Sequence, residues 1–137
     1  TGFDLFLSDG NPPPPNGQYG AELMVLQSYN LNGLGPIQAD FQYVNPDGSK
    51  SAYLVRAFQM GSWPYAAFYA RQQTMSLALD LKQFLDYAFA QGYFKSNTKL
   101  QYPFDAAGPW VDMVEVGTEV LCGSVQTSIK DYSVTPT

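Results

Sequence analysis

Short apolar and aromatic segments recur along this chain, and turn-forming residues interrupt nearly all of them before a helix could complete three turns. Gly2 to Leu7 alternates in polarity, then meets Ser8-Asp9-Gly10-Asn11 and four consecutive prolines, Pro12 to Pro15. Proline fixes φ and removes a backbone donor, so this stretch reads as a loop. Ala21 to Tyr29 reads as a strand and Leu31 to Pro36 as the next loop. Phe41-Gln42-Tyr43-Val44 runs into Asn45-Pro46-Asp47-Gly48, a hairpin signal, and Ser51 to Phe58 returns from it. Tyr65 to Arg71 is a further aromatic strand, and Trp110 to Val116 and Val125 to Val134 close the chain. This punctuation predicts an all-β fold of mainly antiparallel strands.

One segment follows a different period. Leu77, Leu81, Phe84, Leu85 and Ala88 recur at i, i+4, i+7, i+8 and i+11, a helical stripe. The spacing predicts one helix from Leu77 to Ala90, with Ser76 as its start signal and Gly92 as its stop. Leu81, Phe84 and Leu85 should face a sheet. The long connection from Gln91 to Pro109 reads as a surface loop. With 137 residues the chain has room for one domain, expected to span 1–137, and no internal repeat divides it. The expected architecture is an antiparallel β-sandwich carrying one packed α-helix.

Composition removes several kinds of chemistry. Charged residues make up 14% of the chain against 45% hydrophobic, so it folds rather than remaining disordered. The net charge is −5 and the seven basic residues are scattered, which argues against a nucleic-acid partner. No run of eighteen apolar residues suggests a membrane span. Thr1-Gly2-Phe3-Asp4 lacks the basic and apolar regions of a signal peptide, as a mature, processed N-terminus would. The chain contains no histidine, so Ser-His-Asp and Cys-His catalysis are unavailable, and so are histidine-ligated metals. Cys122 is the only cysteine, which leaves no internal disulfide and no cysteine metal cluster; it reads as a buried small hydrophobe or as a bridge to another chain. No cofactor or metal is expected. Carboxylate chemistry remains.

Most acidic residues, such as Asp9, Asp47, Asp80 and Asp86, lie in loops or on the helix surface. Three do not. Glu22 interrupts the apolar strand Glu-Leu-Met-Val-Leu, where alternation sets Glu22, Met24 and Leu26 on one face and Leu23 and Val25 on the other. Asp4 interrupts Phe3-Asp4-Leu5-Phe6. Glu119 follows Val114-Glu115-Val116-Gly117-Thr118, just before a turn.

Asp4-Leu5-Phe6, Glu22-Leu23-Met24-Val25, Gly35-Pro36-Ile37, the helix segment Asp80 to Tyr87, and Gly117-Thr118-Glu119 with a final strand from Ser128 to Val134 occur in that order. Together they resemble the consecutive motifs of glycoside hydrolase family 12, with an insertion around Pro103 to Pro109. That family comprises secreted endo-β-1,4-glucanases and xyloglucanases with a concanavalin-like jelly-roll sandwich.

The resemblance implies roles residue by residue. Glu22 would be the nucleophile, Glu119 the general acid/base, and Asp4 the carboxyl partner beside the nucleophile. Met24, Glu115 and Pro36 would contact substrate. Such a pair works at about 5–5.5 Å, with Glu22 ionised and Glu119 protonated. Glu115 stands where the family usually shows an amide and would share a face with Glu119 on a regular strand, raising its pKa. Leu26 replaces a family tryptophan, and Val120-Leu121 replaces a Pro-Phe pair. The family's N-terminal strands precede its Asp-Leu-Phe motif. A second polypeptide carrying them, or a second copy of this chain, is therefore the expected partner, beside β-glucan itself. The other reading is a secreted, non-catalytic glycan-binding or defence sandwich derived from such an enzyme.

Overall fold

A computed structural model of the chain describes residues 1–8, 19–29, 36–74, 78–97, 100 and 110–118. They form six strands, β1 (Gly2–Ser8), β2 (Ala21–Leu26), β3 (Ala39–Val44), β4 (Lys50–Met60), β5 (Trp63–Ala70) and β6 (Trp110–Gly117), and one helix, α1 (Leu81–Ala90). The strands make a single sheet in the order β3-β4-β5-β2-β1-β6. Its pairs are antiparallel except β2 with β5, which run parallel. The mostly-β class with one packed helix is as expected; the parallel pair is not, because alternation identifies a strand without naming its neighbour.

Several boundaries move for local reasons. β2 stops at Leu26 rather than continuing to Tyr29, because the N–H groups of Gln27 and Ser28 turn to donate to the Thr1 carbonyl at 3.0 and 3.2 Å. The helix begins at Leu81, not Leu77. Asp80 caps it, its carboxylate accepting the Lys82 N–H at 3.0 Å, while its own N–H donates to the Tyr43 hydroxyl at 2.8 Å. Gly92, at φ +70°, occupies the left-handed position that ends a helix. The following turn is not surface loop throughout, since Phe94 and Leu100 are buried. Ser76, Leu77, residues 101–109, Cys122 and the expected strand Val125 to Val134 lie outside the described residues.

The sheet has two distinct faces. On one, Phe3, Leu5 and Leu7 of β1 and Leu23 and Val25 of β2 join Phe41, Tyr43, Tyr53, Val55 and Phe68 under the helix. Phe84 is the centre of this core: its ring lies 5.0–5.2 Å from those of Phe41, Tyr43, Tyr53 and Phe68. Leu81, Phe84 and Leu85 all pack into it, as the helical stripe requires. The other face holds a smaller cluster of Met24, Tyr65, Ala67 and Tyr69, with Leu26 and Leu54 against it. Glu22 belongs to this second face.

Candidate active site

Pairing of β5, β2, β1 and β6 arranges the second face as three rows. Tyr65, Glu22, Phe6 and Met113 lie side by side in one row. The next contains Ala67, Met24, Asp4 and Glu115, and the third Tyr69, Leu26, Gly2 and Gly117. Asp4 is thus the diagonal neighbour of Glu22 and the direct cross-strand neighbour of Glu115. Diagonal positions on one face lie roughly 7–8 Å apart at the backbone, within reach of long side chains. Three carboxylates on three adjacent strands therefore share one face. Like charges opposite one another weaken strand pairing, so packing supplies no reason for the Asp4–Glu115 pair.

Glu22 is 6% exposed, flanked by the aromatic rings of Phe6 and Tyr65. A carboxylate loses hydration there and needs donors in return. Trp63, at the start of β5, supplies one: its indole Nε1–H donates to Glu22 Oε2 at 2.9 Å. The Tyr65 hydroxyl donates to Met24 Sδ at 3.3 Å, fixing the side chain beside Asp4.

A depression of about 570 Å³ opens between β2, β1 and β6. Asp4, Met24, Leu26 and Glu115 line it, with Gly2, Gly117 and Thr118. The third row creates the space, because its two positions nearest β6, Gly2 and Gly117, carry no side chain. Gly2 cannot be enlarged in place: a Cβ there would lie 2.1 Å from the Val25 carbonyl oxygen.

Of the residues singled out in the sequence, the structure brings Asp4, Glu22, Met24 and Glu115 to one face, with Asp4, Met24 and Glu115 at the depression. Pro36 is not brought there. It is exposed and precedes β3, the far edge strand, with β4, β5 and β2 between it and β1. Glu119 lies outside the described residues. Trp63 went unread in the sequence. The alternation of Trp63, Tyr65, Ala67 and Tyr69 sets it on the face of Tyr65, but only the β2–β5 pairing shows that this face carries Glu22.

No family sequence model matches the chain, and no curated protein does. Solved structures do. A metagenome-derived glycoside hydrolase family 12 endoglucanase matches 70% of this chain over 41% of its own, at 29% identity and a TM-score of 0.55. The fold is that of glycoside hydrolase family 12. A thermostable cellulase derived from Cel12A of Rhodothermus marinus matches 68% of this chain and 42% of its own at 24% identity, with a TM-score of 0.53. The catalytic domain of Humicola grisea Cel12A, solved with a soaked thio-cellotetraose, matches 72% and 42% at 16% identity and 0.55. The chain thus spans about two fifths of the length of the family 12 structures it matches.

Proposed function

We propose that this chain is the nucleophile-bearing part of a secreted, extracellular retaining glycoside hydrolase, cleaving internal β-1,4-glucosidic bonds of glucan or xyloglucan. The observation that carries the reading is the placement of Asp4, Glu22 and Glu115 on adjacent strands of one face, beside an open depression. The family 12 fold supports it.

In the first step the Glu22 carboxylate attacks the anomeric carbon. The glycosidic C–O bond breaks, its electron pair stays on the leaving oxygen, and that oxygen takes a proton from the general acid. In the second, the same acid residue, now a base, deprotonates water; the water oxygen bonds to the anomeric carbon and the Glu22 ester is released as carboxylate. Glu119 is assigned the acid/base role through Gly117-Thr118-Glu119. Asp4 holds the nucleophile from the neighbouring strand, Glu115 acts on the charge of the cleft, and Met24 shapes its floor.

β3 and β6 are the outer strands of the sheet, each with one side unpaired among the described residues. Such edges accept further strands. We assign the rest of the sandwich to strands that add to this unit, from the same polypeptide, a second one or a second copy; the single domain proposed for 1–137 is one part of that sandwich.

Release of reducing ends from soluble β-1,4-glucan by the native protein tests the reading. Glu22→Gln should abolish hydrolysis while leaving binding nearly intact. Glu119→Gln should stall turnover of glucan but spare an aryl glycoside, whose leaving group needs no proton. Glucan binding by the native protein without any hydrolysis would instead indicate a non-catalytic binding sandwich.

A further inference from the structure

We infer that Trp63 is a positioning residue for Glu22, holding its carboxylate ionised and oriented through the indole N–H. The inference rests on the proposed role of Glu22 for its catalytic meaning, but the contact itself is independent of that role.

The backbone leaves Trp63 little freedom. Met60 and Trp63 pair across a two-residue turn in which Gly61 has φ +57°, so the first residue of β5 is set by the hairpin. The parallel pairing then places Tyr65 opposite Glu22, so Trp63 lies one same-face step away along β5. From there its Nε1–H reaches Glu22 Oε2 at 2.9 Å in a partly buried setting. An N–H donated to a carboxylate favours the charged form and resists rotation of the group. Both effects suit a nucleophile, which must be ionised and aimed at one carbon.

The other ionisable groups on this face of the sheet are Asp4 on β1, Glu115 on β6, Tyr65 and Tyr69 on β5, Arg56 and Lys50 on β4, and Asp40 on β3. Asp4 and Glu115 oppose ionisation of Glu22 by like charge. The Arg56 guanidinium favours it but lies over the Phe58 ring, 5.4 Å from its centroid. Trp63 donates to Glu22 directly.

The test reads the contact first and turnover second. In the native protein, the Trp63 indole proton should shift in step with the Glu22 carboxyl as pH is varied, both followed by NMR with glutamate carboxyls labelled. In Glu22→Gln that step should vanish from the indole, while in Glu115→Gln it should persist. Trp63→Phe should move the Glu22 titration to higher pH. It should also lower kcat on an aryl β-cellobioside about ten- to a hundredfold with KM nearly unchanged, a loss of alignment rather than of binding. An indole proton that ignores the Glu22 titration would overturn the inference without any variant having to fold. So would a Trp63→Phe protein with an unmoved Glu22 titration. A protein that hydrolyses nothing, yet whose indole tracks Glu22, would remove the enzymatic reading and leave the contact standing.

Discussion

At the scale of single residues, Glu22 combines an apolar strand, near-complete burial and a tryptophan donor. Its oddity was legible in the sequence, since an ionisable side chain inside Glu-Leu-Met-Val-Leu conflicts with its neighbours. Its donor was not, because a tryptophan after Gly61-Ser62 reads as core until its strand partner is known. Glu115 faces Asp4 across β1 and β6, so removing its charge should make neighbouring carboxyls easier to ionise. Glu115→Gln should therefore retain hydrolysis but shift its optimum to lower pH, measured as a rate profile on soluble glucan. A purely structural prediction belongs to Gln27, whose Nε2 donates to the Tyr53 hydroxyl at 2.6 Å in the core. Tyr53→Phe leaves that amide buried without its acceptor and should cost about 1–3 kcal/mol by urea unfolding.

At the scale of elements, Phe84 and the Asp80 cap are two separable contributions to holding the helix, beside the packing of Leu81, Leu85 and Tyr87. Phe84 touches rings from β3, β4 and β5, so Phe84→Ala should destabilise by about 3–5 kcal/mol in the same unfolding assay. Asp80→Ala removes the cap on Lys82 N–H and should cost about 1 kcal/mol. The strands were legible because alternation and turn residues are local signals. The apolar stripe extends back to Leu77, but the capping bond and the contact with Tyr43 decide where the helix begins. The parallel pairing of β2 with β5 had no local signal at all. It joins strands with two others between them in the chain, and it is the pairing that sets Trp63 beside Glu22.

At the scale of the whole molecule, the packed tyrosines make stability depend on alkaline pH. Burial, with Tyr87 adjacent, pushes Tyr93 up to about 12, and burial likewise raises Tyr53. An unfolded tyrosine ionises near 10, so between pH 10 and about 12 the unfolded chain holds fewer protons than the folded one. The tyrosine contribution to stability should be level below pH 10 and fall as pH rises towards 12. Tyr93→Phe should flatten that fall, seen as a smaller drop in the urea midpoint. The same scale governs function, because the face that carries Asp4, Glu22 and Glu115 belongs to a fold of which this chain spans about two fifths. The central claim is that Glu22 forms a bond to sugar carbon. It is tested most directly by treating the native protein with a 2-deoxy-2-fluoro β-cellobiosyl fluoride and measuring intact mass, then mapping the labelled peptide. One glycosyl adduct per chain on the peptide containing Glu22, absent from Glu22→Gln, is the predicted result; an adduct on another residue, or hydrolysis of β-1,4-glucan undiminished in Glu22→Gln, would contradict it.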